Sequence, residues 1–421
     1  MTLSQLRERI APVNAWLLTA IFFFIPIQAA PAYLLSALLL VLWIVEGRLG
    51  PKLRALAAEP LVWIFLGYWG VLALSMLWTE DTDWGWRMVR RQNFFLLFLL
   101  YFSVARREHF DRYVAAFLAS IALCEALAFY NWTQMHVWPA LPEGIRVDKG
   151  TGETAPFVDR IMYTPILALA GYLAGHRLLF DARTMGQRLL YGGLLVATTL
   201  NLVIGGGRAG MVGFLALFAL LVFQRFARRP VIATALATVL AGGLVLGAYH
   251  SNDHFKGRVD AAFDEIVNFR ERPNTAPSLR IVYSINAWRI FSAQPLLGVG
   301  IGDYRAEYER VNAIHTPQWG AAWNPHNQYL YVLTAAGLAG GVALVLVLGV
   351  PLLRRGPSDG RERIRRAPPL LLIVICLSES YLLRSNVSLM YVLFLAALWC
   401  GVPRPSTASV CLGRSPSGHP A

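Results

Sequence analysis

Apolar residues in this chain are gathered into long blocks and do not alternate with polar ones. The blocks fall at residues 61–78, 92–104, 113–132, 161–180, 189–204, 209–223, 231–249, 326–353, 368–383 and 387–402, and a longer one at 15–46 is broken in two by Pro26 and Pro31. A helix needs about 20 apolar residues to cross the hydrocarbon of a bilayer. Continuous runs are unlike the alternating strands of a barrel. The pattern predicts an all-α polytopic membrane protein with about twelve transmembrane helices. Residues 1–249 would carry the first nine, 250–325 a long loop domain outside the membrane, and 326–402 the last three. Residues 403–421, rich in Pro, Ser and Gly, are expected to form a disordered tail.

Composition supports this picture. Of 421 residues, 56% are hydrophobic and 15% charged, where a soluble protein carries about 25% charged residues. The net charge of +13 is almost entirely arginine, with lysine only at Lys52, Lys149 and Lys256. In a membrane protein such an excess reads first as cytoplasmic loops lying against anionic lipid of the bilayer. No soluble basic domain is present to bind nucleic acid, so no such partner is expected. Cys124, Cys376, Cys400 and Cys411 lack metal-ligand spacing, and three of them lie in apolar blocks, where packing accounts for them. Placing the N-terminus in the cytoplasm and alternating sides puts 22 basic residues inside and 16 outside, eight of the latter in 250–325, a segment too long for the positive-inside rule to govern. Both termini and the tail are then cytoplasmic. The turn at 205–208, the loop 250–325 and His326 share the external face.

The stretch 323–341 is the most informative. Pro325 stops what precedes it, and a helix is expected from His326. Gly337, eleven residues on, returns to within roughly 20° of His326 around such a helix. Gly337, Gly340 and Gly341 would form a small-residue seam for a neighbouring helix. An imidazole, with an ordinary pKa of about 6.5, can accept a hydroxyl proton; a capping or packing histidine is the plainer alternative.

Three further features lie on the same face. Gly205-Gly206-Gly207-Arg208-Ala209-Gly210 joins two blocks. Its glycines allow close backbone approach, the next helix offers free N–H groups, and Arg208 adds a planar charged fork. That combination suits an anion, although a flexible turn with an arginine reaching to headgroups would look the same. Ser278 as N-cap and Pro295 as stop predict a helix of about four turns. Arg280 and Arg289 would point to opposite sides of it, with Arg280 toward a site and Arg289 toward a structural or headgroup contact. The run Gly298-Val299-Gly300-Ile301-Gly302 lacks the preceding strand and the following Lys-Ser/Thr of a nucleotide loop. Arg87, Arg90 and Arg91 share one helical face and suit phospholipid headgroups or a phosphorylated lipid substrate. There is no His-Glu-x-x-His and no Gly-x-Ser-x-Gly, and no acidic pair is assigned a metal role. Neither metal nor cofactor is expected, and phosphate would be handled by arginine.

His326-Asn327 followed by Gly337 and Gly340, Arg208 in its glycine turn, and Arg280 ahead of Trp288 and Pro295-Leu296-Leu297-Gly298-Val299-Gly300 together resemble the O-antigen ligase and polymerase superfamily. The resemblance implies a GT-C-like, metal-independent, inverting glycosyltransferase of the cell inner membrane with a periplasmic active site. It implies undecaprenyl-diphosphate-linked O-antigen as donor and lipid A–core as acceptor. His326 would activate the acceptor, and Arg208 and Arg280 would grip the diphosphate. Arg289, Asn327, Arg87, Arg90 and Arg91 would be further substrate-binding residues, Arg289 matching the pattern less well. An O-antigen polymerase differs only in acceptor. A protein O-oligosaccharyltransferase usually carries a soluble C-terminal domain, for which the tail is too short. A lipid flippase should show internal repeats, and none is visible. Glu379 and Arg384 lie near the last external turn without a spacing that assigns them a role.

Overall fold

The computed structural model describes residues 3–147, 152–251, 253–269, 271 and 274–402. The tail expected at 403–421 lies outside the described residues. Regular structure among the described residues is helical. The N-terminal half comprises α1 (Leu3–Phe24), α2 (Ala29–Glu46), α3 (Leu49–Ala57), α4 (Pro60–Leu74), α5 (Thr82–Arg91), α6 (Phe94–Val104), α7 (Phe110–His136), α8 (Arg160–His176) and α9 (Met185–Gly205). The C-terminal half comprises α10 (Arg208–Arg225), α11 (Pro230–Ser251), α12 (Asp253–Val267), α13 (Ala276–Ala293), α14 (Tyr304–His315), α15 (Gln328–Leu353), α16 (Ala367–Ile375) and α17 (Ser385–Trp399).

Every apolar block coincides with a helix, but their lengths divide them. Among the described residues, seven helical segments, those containing α2, α4, α7, α9, α10, α11 and α15, are long and apolar enough to cross a bilayer. The rest are shorter: α6 has 11 residues, α8 17, α16 nine and α17 15, and the apolar part of α1 is Arg9–Phe24. Burial explains two of the short ones. All of α17 from Asn386 to Trp399 and all of α8 from Tyr163 to His176 are buried, so protein rather than lipid satisfies their apolar sides. The outer helices do the opposite. Leu34, Leu38 and Val41 of α2, Leu189 and Val196 of α9, and Val231 and Val239 of α11 are exposed. Water does not tolerate so extended an apolar exterior; lipid does. The chain is an integral membrane protein.

The 250–325 insertion is helical too. α13 and α14 enclose a separate small core of Tyr283, Ala287, Ile290, Val299, Tyr304, Tyr308 and Val311. The N-cap of α13 is Thr275 rather than the expected Ser278, and the Ser278 hydroxyl donates to the Glu265 carbonyl at 3.0 Å.

The junction of this domain with α15 departs from the expected small-residue seam. α15 is not continuous: Ala336 (φ −134°) and Gly337 (φ 61°) leave helical geometry. The freed backbone groups are taken by the segment that follows α13. Val299 N donates to Thr334 O (2.8 Å), Gly300 N to Ala335 O (3.0 Å), and Leu338 N to Pro295 O (2.8 Å). A Cβ on Gly337 would lie 2.2 Å from Leu296 O, and one on Gly298 (φ 70°) 2.5 Å from Thr334 O. Backbone therefore packs on backbone here, and only glycine permits it. The Asp303 carboxylate fixes the same loop to the start of α5 by accepting from Glu80 N and Asp81 N, each at 2.8 Å.

Gly337→Ala is expected to destabilise the protein by roughly 2–5 kcal/mol through forced backbone displacement. Gly349→Ala, in the same helix with nothing within 4 Å of the added carbon, is expected to be neutral or to stabilise by roughly 0.5–1 kcal/mol. Thermal unfolding of the detergent-solubilised variants checks the pair; equal effects would show that the wedge carries no energy.

Candidate active site

Two glycines end α9 and start α10. Gly206 caps α9 in the left-handed conformation (φ 60°), and Gly207 is the N-cap of α10 with no side chain to accept its first-turn N–H groups. Those groups are open to an anion, reinforced by the positive end of the helix dipole. Gly207 and Gly210 also let α10 press against α8: a Cβ on either would come within 2.2 to 2.3 Å of Thr164 Oγ1.

This helix start opens on a cleft of about 240 Å³ whose walls include Arg160, Gly207, Arg208, Arg280, Glu379 and Tyr381. Arg208 and Arg280, 72 positions apart in the chain, thus face one space and lie close enough to repel each other. Among the described residues neither makes an ion pair. Arg160 is held by Glu153 at 3.4 Å. Like charges in a partly dry cleft are costly until an anion arrives. The Tyr381 hydroxyl is buried with no hydrogen-bond partner among the described residues.

His326 stands on the other side of Glu379. The sequence places it at the start of a helix, but its backbone is left-handed (φ 49°), with its N–H on Asn324 Oδ1 at 2.7 Å. α15 begins two residues later, and Asn327 is its N-cap: Asn327 Oδ1 accepts from Tyr329 N and Leu330 N, and Nδ2 donates to Leu377 O. The Asn327 amide thus caps α15 and ties its start to the turn after α16. The His326 ring stacks on Tyr283 at 5.9 Å, and Nδ1 meets Glu379 Oε2 at 2.8 Å. A carboxylate only accepts, so Nδ1 carries a hydrogen, and the ring in its neutral form presents the Nε2 lone pair. The side chain of His326 is 28% exposed and that of Glu379 2%.

Glu379 lies in the turn after α16. Burial opposes its ionisation, but the hydrogen bond and charge of His326, the Arg384 guanidinium at 3.5 Å and the Ser380 N–H at 2.9 Å outweigh burial and hold its pKa below the ordinary value. Its role was not legible from spacing. The available signal was a carboxylate inside an apolar block, where charge is expensive and usually functional. Arg160 was missed altogether; at the start of a block it looks like any headgroup arginine.

The remaining sequence candidates lie elsewhere. Arg289 is exposed on α13 and donates to Asn286 Oδ1 at 2.9 Å, within a network reaching Tyr308 and Thr316; it does not line the cleft. Arg87, Arg90 and Arg91 are exposed on α5 and do not line it either. Asp81 and Asp83 have Asp-x-Asp spacing. Asp81 is the N-cap of α5, accepting from Trp84 N at 2.9 Å, and Asp83 sits in the first turn beside it.

Residues 193–345 match the family model described as O-antigen ligase, a segment that contains Arg208, Arg280 and His326 but neither Arg160 nor Glu379. The chain is also 25% identical over 310 residues to an uncharacterized protein of Haemophilus influenzae, covering 70% of this chain and 72% of that one.

Because the Glu379 pKa is depressed on folding, its contribution to stability is present above the unfolded value near pH 4.3 and is lost as pH falls through the folded value. Glu379→Gln should therefore lower stability by roughly 1–3 kcal/mol at pH 7, and the gap from wild type should close below about pH 4. A gap that stays constant across that range in thermal unfolding would mean the carboxylate is not ionised.

Proposed function

The match over residues 193–345 supports placing this membrane protein in the O-antigen ligase superfamily, and we propose that it is an O-antigen ligase. In this reading it moves a polysaccharide from undecaprenyl diphosphate to a sugar hydroxyl of lipid A–core at the periplasmic face of the inner membrane. One observation carries the reading: the cleft holding Arg208 and Arg280 shares its Glu379 wall with the imidazole of His326.

Arg208 and Arg280, with Arg160 and the first-turn N–H groups of α10, take the diphosphate. An arginine at membrane depth costs about 2.5–3.5 kcal/mol on insertion scales, and each charge-assisted hydrogen bond to phosphate returns roughly 1.5–3 kcal/mol. The acceptor oxygen attacks the anomeric carbon, and its proton passes to His326 Nε2. The bond from that carbon to the diphosphate oxygen breaks, leaving its electron pair on the phosphate, where the guanidinium groups meet the developing charge. The imidazolium is stabilised by Glu379 through Nδ1. One in-line displacement inverts the anomeric configuration.

Purified protein supplied with lipid-linked glycan and rough lipopolysaccharide is expected to form the covalent product in the presence of EDTA. His326→Ala should reduce transfer roughly 10²–10⁴-fold, and Arg208→Ala or Arg280→Ala roughly 10²–10³-fold. Undiminished transfer by the histidine variant would remove the imidazole from the mechanism.

A further inference from the structure

The ligase reading gives the cleft to the donor diphosphate, and a two-substrate reaction needs a second contact surface. A separate group of side chains lies beside the pre-α15 loop. Trp84 of α5 has the Arg87 guanidinium and that of Arg305, from α14, each 5.9 Å from its ring centre. Trp323 meets Trp84 edge-on at 6.1 Å, and Arg91 lies 5.1 Å over Trp323. Trp323 is three residues from His326. The surface thus joins α5, α14 and the segment that positions the imidazole, and shares no residue with the cleft.

Its charge is unbalanced at one end. The acids Asp81 and Asp83 sit at the start of α5, Asp81 as its N-cap, and Asp303 is spent on Glu80 N and Asp81 N. Arg305 pairs with Glu309 at 3.1 Å. Arg87 and Arg91 have no acidic partner among the described residues. Indoles offer flat apolar faces to the C–H faces of sugars, and planar guanidinium groups bind phosphate in a bidentate manner. A phospholipid headgroup uses the second feature but not the first.

We infer that this arginine–tryptophan surface binds the phosphorylated sugar headgroup of the glycolipid acceptor and presents its hydroxyl beside His326. The inference rests on the ligase reading and deepens it. The test measures acceptor binding directly, apart from transfer. The combined variant Arg87→Gln/Arg91→Gln/Arg305→Gln should bind rough lipopolysaccharide roughly tenfold more weakly than wild type. Its affinity for the lipid-linked donor should be unchanged, and dephosphorylated lipopolysaccharide should bind both proteins equally. Nanodiscs of anionic phospholipid should not compete. Wild-type acceptor affinity in the variant, an equal loss of donor and acceptor binding, or competition by phospholipid would each overturn the assignment, the last by giving the surface to the membrane. Acceptor binding that behaves as expected while wild-type protein forms no product would sink the ligase reading instead.

Discussion

The hydrogen bond between Glu379 and His326 is the constraint on which the site depends. A buried carboxylate is costly unless charges and donors surround it. Here the imidazole, Arg384 and the Ser380 N–H supply them. The three come from different parts of the chain: the loop before α15, the turn after α16 and the start of α17. The imidazole is held in turn by local devices, the Asn324 turn, the Asn327 cap and the left-handed backbone of His326. The carboxylate also lines the arginine cleft, so the group that orients the imidazole also borders the guanidinium groups.

Arginine is used in two ways in this protein. At the far end of α15, beyond Leu353, the guanidinium groups are paired. Arg365 is buried against Asp359 at 2.8 and 2.5 Å, Arg107 joins the same carboxylate at 2.6 Å, and Arg354 is bound to Glu59. Those arginines hold loops and helix ends together. At the cleft end, Arg208 and Arg280 face each other without an ion pair among the described residues, an arrangement that favours an incoming anion over the empty state.

The glycine-rich runs also divide by purpose. Gly207 and Gly210 bring α10 against α8 and leave the first turn of α10 facing the cleft. Gly298 and Gly337 let the backbone after α13 enter a break in α15. That break ties the helical domain carrying Arg280 to the helix that follows His326, so the relative position of the two residues is set by backbone hydrogen bonds rather than by a flexible linker.

The apolar blocks by themselves determined the class of the molecule and the place of nearly every helix, because burial in lipid or in a tight bundle needs long runs of apolar residues whatever the tertiary arrangement. Arg208, Arg280 and His326 stood out because charge beside such runs is costly. Which runs face lipid was not legible: α8 and α17 read as spans and are enclosed by other helices. The break in α15 was hidden because a glycine in a left-handed turn and one in a helix seam are the same letter. Arg289 as a network member and Glu379 as partner of the imidazole depend on segments that meet only after folding. Residue type and spacing carry the cost of a charge, whereas its partner is a matter of three-dimensional proximity.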